Sequence, residues 1–408
     1  MPQNRSTKSV EASHHACSRR EHHARDSSPP FPSFCTMTAF ISPGEALSRV
    51  ALGSTGRMVL LLLLSTSCSA ASCQNSHASA AQMNATLGQR SPTPDLDRYL
   101  TWDYDLTFTD AAASASTEVY LDPQGGFVVA DAGQAQVRVY ADSAQLVWSA
   151  GRSGPGPAEF QQLRGAVRTA SGEVIALDGR GKLTVFDASG NYLRSASTDL
   201  APAYNFWLVN DSTLLISGRQ AGSTSSPLLH VWSLREERIT RSFFETPPHD
   251  SRFDQAYLFS GWANAALVGN DTVAVVFPLS DTLYLHRIDG TPLAKFKLPL
   301  ENFRRIRQPG PKDPSPEARI AWRNSYTRVS QVYHAPDGAI YVQYFNLAGL
   351  DPVWGLVRVF ADRGQLHKSF DVTPSHRLLG ISSRDSSLFF VRADSLESTV
   401  WSVAHLSR

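Results

Sequence analysis

From about residue 99 onward, apolar and polar positions alternate over short runs, and Asp, Gly or Ser clusters separate the runs. KLTVFDASGNYL (182–193) and TLYLHRIDGTPL (282–293) each read as a strand, an Asp/Gly turn and a second strand. LDPQGGFVVAD (121–131), TASGEVIALD (169–178), VNDSTLLIS (209–217), VGNDTVAVV (268–276), HAPDGAIYV (334–342) and SSRDSSLFFV (382–391) place the same kind of turn between apolar strands. A period of two broken by turn residues predicts β-hairpins. A helical period is missing over most of this region.

The hairpins recur. VRVYADSAQL (137–146) and VRVFADRGQL (357–366) are identical at seven of ten positions, and Gly125 to Gly172 spans 47 residues. Strand, turn, strand, loop, strand, turn, strand at a spacing of roughly 40 to 60 residues is the signature of a β-propeller blade. Six such units begin near residues 118, 161, 203, 256, 326 and 377. The last ends in WSVAHLSR as its third strand, and YLTWDYDLTF (99–108) supplies the fourth. The expectation is therefore an all-β, six-bladed propeller over residues 99–408, closed by pairing an N-terminal strand with the C-terminal blade, which hides the sheet edges.

GRSGPGPAEF (151–160) lies between the first and second blades. Glycines and prolines suit a connector that doubles back in little space. Glu159 is placed to accept backbone N–H groups and Phe160 to wedge between sheets. Gly151, Gly154, Gly156, Pro157, Glu159 and Phe160 resemble the blade connector of NHL-like six-bladed propellers, which are common among bacterial envelope lipoproteins; Ala158 stands where that pattern has a glycine. The resemblance implies the fold and an envelope location, and little chemistry. It is specific over 118–187 and loose beyond. The stretch does not read as a phosphate cradle, since neither a Lys-Ser/Thr pair nor a helical pattern follows it.

The N-terminal part has a different character. Residues 1–57 are rich in Ser, Pro, His and Arg, and MVLLLLLSTSCSAASC (58–73) has the layout of a secretory signal. Ala70-Ala71-Ser72-Cys73 fits a bacterial lipobox with Cys73 as the lipid anchor, ahead of Cys68 as the acylated residue; cleavage near Ala71 without lipidation is the alternative. Such a signal belongs at the start of a chain, so residues before Met37, Val50 or Met58 are expected to be disordered or untranslated. Residues 74–98 are polar and small and read as a tether. The expected location is the bacterial envelope, periplasmic or outer-membrane, or secreted, with any membrane contact made through the lipid alone.

Composition narrows the chemistry. A formal charge of +1 gives no case for nucleic acid. All four cysteines lie at or before Cys73, so the body has no disulfide, thiolate nucleophile or Cys-held metal. HExxH, paired CxxC and GxSxG are absent, and the histidines do not pair at ligand spacing. Asp131 and Asp178 recur after second strands, where Asx-turns explain them. No catalytic residue, metal site or cofactor is assigned.

What remains is a pattern at the start of the inner strands, which should ring one mouth of the channel: Arg164, Tyr204, Trp262, Arg328 and Arg377. Converging arginines favour a carboxylate, phosphate or acidic sugar, and the aromatic rings offer stacking faces. Alternatively, each arginine pairs with an acid on the next blade and staples the ring. An insertion, ENFRRIRQPGPKDPSPEARIAWRN (301–324), carries Arg304, Arg305, Arg307 and Lys312, and Ser315-Pro316 should start a short helix there. It reads as a solvated basic loop or as a docking segment or lid. The functional expectation is a monomeric binding module for a small anionic or carbohydrate ligand or a protein partner. A metal-dependent hydrolase or lyase at the mouth, needing three or more converging carboxylate, Asn or His side chains, is the alternative.

Overall fold

The computed structural model describes residues 98–108, 118–223, 227–259, 261–300, 303–311, 315–348, 351–362, 365–372, 376–392 and 400–407. Cys68, Cys73, the signal, the tether up to residue 97 and Lys312 lie outside these residues. Six four-stranded antiparallel sheets form the body. Their inner strands are Glu118–Leu121, Leu163–Arg168, Leu200–Asn210, Asn264–Val268, Arg328–His334 and His376–Ile381. Each inner strand touches the next, and the sixth touches the first, so the ring is closed. The protein is a six-bladed β-propeller.

Closure follows the expected route. Leu100–Thr107 runs antiparallel to Val400–Leu406, with Leu106 opposite Trp401 and Leu100 opposite Leu406. Phe108, just beyond the strand, is buried with its ring centroid 4.1 Å from that of Trp401. The N-terminal segment is thus both hydrogen-bonded and packed into blade six.

The apolar residues form six separate cores, one between each pair of neighbouring blades. Along the second strand of blade one, Val128 and Ala130 enter the core shared with blade two, while Phe127 and Val129 enter the core shared with blade six. Second strands such as Phe127–Asp131 and Val174–Asp178 are consequently buried at every position. Alternation survives on outer strands such as Leu146–Ala150, where one side meets water. A sheet covered on both faces has no use for a polar one, and each fully buried Val or Leu side chain contributes about 1.5–3 kcal/mol.

The repeat that signalled the fold turns out to be offset. Val137 and Val139 face blade two, whereas Val357 and Val359 face blade four, the opposite side of their own sheet. The pairing explains it: Val129 lies opposite Arg138, but the equivalent Val342 lies opposite Val357. A one-residue difference in register moves every side chain to the other face.

GRSGPGPAEF forms the connector between blades one and two, pinned by a two-residue parallel pairing of Arg152–Ser153 with Glu159–Phe160. Phe160 is fully buried in the core between the two blades. Glu159 accepts from the Gly156 amide at 2.8 Å and from Arg152 at 2.7 Å. Lys182 donates to the carbonyls of Gly156 and Glu159 at 2.9 and 2.6 Å. Gly151 sits at φ 101°, and a Cβ there would stand 2.7 Å from the Phe160 ring.

The expected start of blade four near residue 256 is wrong. Asp254–Phe259 is a short helix, α1, and the inner strand begins at Asn264. Asp250 caps the turn before it, and His249 stacks on Tyr257 at 3.7 Å while bonding Asp254 at 3.0 Å. These local side-chain bonds favour helix over strand. In the later insertion, Pro316–Asn324 forms helix α2 with Ser315 as its N-cap, as the sequence predicts. Among the described residues no helix is long and apolar enough to cross a membrane.

Candidate functional site

The inner strands run the same way along the channel, so their first residues share one mouth. Two of the expected site residues owe their position to bulges. The ladder of blade two skips from Leu163 to Gly165, and that of blade three from Ala203 to Asn205, which leaves Arg164 and Tyr204 as the extra residues. A bulge re-aims the side chain it carries. Here it brings the Arg164 guanidinium 5.9 Å from the Tyr204 ring centroid. Asp178 fixes this corner by accepting from the Gln161 and Gln162 amides at 2.6 and 3.0 Å. Its other oxygen accepts from the Arg180 amide at 2.8 Å, the Asx-turn predicted for it. Gly179 leaves room for Arg164, since a Cβ there would come within 2.8 Å of its Nε.

Tyr204 continues the chain of contacts to Trp262, ring centroids 5.0 Å apart. Burial raises the Tyr204 phenol above its usual value, and Arg164 and then Arg219 oppose the shift. Arg219, on the second strand of blade three, is 5% exposed, and burial holds its guanidinium below the usual value.

The other half of the mouth is built on blades five and six. Arg328 lies 5.2 Å from the Tyr326 ring and 5.9 Å from that of Phe345. Phe345 packs against Trp354 at 5.4 Å, and Arg377 lies 5.7 Å from Trp354. Glu118, the first residue of the blade-one inner strand, joins the two halves. Its carboxylate is 3.9 Å from Arg377, accepts from Gln331 at 3.3 Å, and feels the field of Arg164. The side chain keeps 40% of its surface open to the channel, yet the surrounding wall desolvates it and pushes its carboxyl above the usual range, against the pull of Arg377 and Arg164.

The five expected residues thus stand in one girdle of alternating cations and rings. Only Arg377 behaves as a staple to a neighbouring blade. Among the described residues neither Arg164 nor Arg328 has a carboxylate within salt-bridge distance. Their hydrogen-bond partners are the Gln162 side chain at 3.2 Å and the Tyr326 hydroxyl at 3.3 Å, and each has a buried Nε without an acceptor among the described residues. Among the described residues no three His, Cys, Asp or Glu side chains are grouped so as to hold a metal ion. In the insertion, Arg305 pairs with Asp281 at 2.8 Å and Arg304 donates to Asn346 at 3.0 Å, so these two bases serve as struts.

Sequence reasoning missed Glu118, Gln331, Arg219 and Trp354. The first two had a signal: counted from their hairpin turns, Glu118, Gln331 and Arg377 occupy the same fourth rung of three blades. Arg219 lies on the second strand of blade three and Trp354 on the third strand of blade five, and both come to the mouth only through the fold.

In fold the chain is similar to a member of the DUF4221 family from Bacteroides vulgatus, with a TM-score of 0.53 at 9% identity over 76% of this chain and 97% of that one. It is also similar to a candidate exported protein from Bacteroides fragilis, with a TM-score of 0.51 at 13% identity over 76% and 96% of the two chains. At such identities the likeness is one of fold. No protein-family model matches the chain, and no curated protein matches it in sequence. These comparisons do not show membership of the NHL-like family, and the resemblance to it stays with the connector residues 151–160.

Proposed function

We propose that this protein is a binding module of the bacterial envelope, exported and held there by a lipid on Cys73, whose propeller mouth takes a small acidic ligand, with an acidic sugar as the best fit. The observation that carries this reading is the pair Arg164 and Arg328, half-buried on opposite sides of the mouth without a carboxylate partner among the described residues. Placing guanidinium groups in a partly desolvated channel costs free energy that an anion in bidentate contact would offset. Tyr204, Trp262 and Trp354 supply apolar faces beside those charges, as a sugar ring requires. The leader with its lipobox and the connector's resemblance to envelope propellers support the location.

A thermal-shift panel tests the reading. Galacturonate and citrate should raise the melting temperature at millimolar concentration, galactose should not, and calcium should add nothing. If galactose stabilised the protein as well as galacturonate, the arginines would not be the recognition element. A requirement for a divalent cation would instead favour the hydrolase or lyase alternative.

A further inference from the structure

Helix α2 brings additional charge to the edge of the mouth. Trp322 packs edge-on against Tyr326 at 5.4 Å, and its ring N–H donates to the Gln308 carbonyl at 3.0 Å. Tyr326 is buried in the core between blades three and four, so the helix end is fixed to the body. Ser325 donates to the Trp322 carbonyl at 2.6 Å and closes the last turn. Asn324 ends the helix four residues before Arg328 begins the blade-five inner strand. The chain has no slack between the helix and the girdle.

Arg319 and Arg323 are four residues apart and share one face of α2. Both are exposed. Among the described residues neither has an ion-pair partner; partial desolvation beside the body acts most on the Arg323 guanidinium and lowers it, followed by the like charge of Arg328, with the Tyr326 phenol opposing and Arg319 adding least. Three guanidinium groups of one sign along a short path repel one another and create a positive potential that no ion pair among the described residues offsets at Arg319 or Arg323. The other arginines of this insertion differ: Arg304 and Arg305 are both engaged as struts.

We infer that α2 extends the mouth into a multi-subsite groove for an acidic oligosaccharide, with Arg319 and Arg323 taking carboxylates beyond the one held at the girdle. This inference rests on the proposed anion site and specifies its ligand as a chain of carboxylated sugars. The reasoning is one of spacing and surface. A monoanion is satisfied by the girdle alone and leaves the helix charges idle, whereas a sugar chain lying across Trp354 and Phe345 carries further carboxylates outward along Arg328, Arg323 and Arg319. Stacking on the rings favours a saccharide over an acidic peptide or a lipid headgroup, because sugar rings present apolar faces at each unit.

The test is calorimetry on the full propeller with galacturonate, tetragalacturonate, the neutral tetramer of galactose and tetra-aspartate. The tetramer of galacturonate should bind at least about tenfold more tightly than the monomer, and the advantage should shrink with added salt as exposed charges are screened. Arg319→Ala/Arg323→Ala should remove most of that advantage, cost the monomer less than about twofold, and leave the melting temperature in place since both residues are exposed. Arg319→Lys/Arg323→Lys should restore most of it. Equal affinity for monomer and tetramer, or a double variant indistinguishable from the parent, would overturn the extension while leaving the girdle site standing. Tight binding of tetra-aspartate in place of the sugar would overturn the saccharide assignment. If no acid of any length binds, the girdle reading itself fails.

Discussion

Gln331 and Glu118, 213 positions apart in sequence, are joined by a 3.3 Å hydrogen bond from the amide of one to the carboxylate of the other. They belong to blades five and one. Arg377 of the intervening blade six lies 3.9 Å from the second carboxylate oxygen. Three consecutive blades thus contribute one polar arc at a single height in the channel. Blades two, three and four present Gly165, Phe206 and Ala265 at the corresponding rung. At this rung the polar side chains come from blades five, six and one, while Phe206 and Ala265 are buried in the cores between blades.

The Glu118 carboxyl is raised above its ordinary value of 4.5, chiefly by burial. The folded state therefore holds this proton more tightly than the unfolded chain does, and the group's contribution to stability is greatest below pH 4.5 and lost as pH rises through the folded value. Glu118→Gln should flatten that part of the stability profile. Denaturant midpoints for parent and variant across pH 4 to 7 check it; parallel profiles would show that Glu118 ionises as freely in the folded protein as in the unfolded one.

Phe160 is the wedge of the first connector, fully buried between blades one and two. Truncating it leaves a cavity that the Gly151 backbone cannot close. Phe160→Ala should cost about 3–5 kcal/mol in chemical denaturation. A loss below 1 kcal/mol would mean that the connector is not part of the core.

Ala158 departs from the connector pattern and takes a left-handed backbone, φ 53°. That conformation costs a non-glycine residue about 1–2 kcal/mol, while glycine adds about 0.4–1 kcal/mol of unfolded-state freedom. Ala158→Gly should therefore stabilise the protein by up to about 1 kcal/mol. A lower denaturation midpoint for the variant would contradict this.

Removing residues 98–108 should open the ring. Val400–Leu406 would become an edge strand, and Trp401 would lose Phe108. Exposed edges of this kind pair between molecules. Size-exclusion chromatography should show the shortened chain as aggregate; a monomer that unfolds cooperatively would show that the strand is dispensable.

The architecture was legible because blade turns carry local chemistry. Asp187 accepts from the Ser189 and Asn191 amides, and Asp289 from Thr291, which makes each hairpin readable from a few residues. The connector was legible for the same reason. Blade four was not: the apolar run around Tyr257 resembles a strand, and only the His249, Asp250 and Asp254 side chains, acting together, make it helical. The placement of Arg164, Tyr204, Trp262, Arg328 and Arg377 at or near the start of inner strands was legible. Their facing was not, because Arg164 and Tyr204 sit in bulges, and a bulge breaks the alternation on which facing is inferred. The offset between Val137 and Val357 is the same lesson in a strand: similar letters, opposite sides.

Titration calorimetry of galacturonate against the parent and Arg164→Ala/Arg328→Ala bears most directly on the mouth as an anion site. The parent should bind saturably and galactose should not, and the double variant should bind at least about tenfold more weakly, the loss expected for one or two charge-assisted hydrogen bonds. Binding that is unchanged in the variant, or absent from the parent, would contradict it.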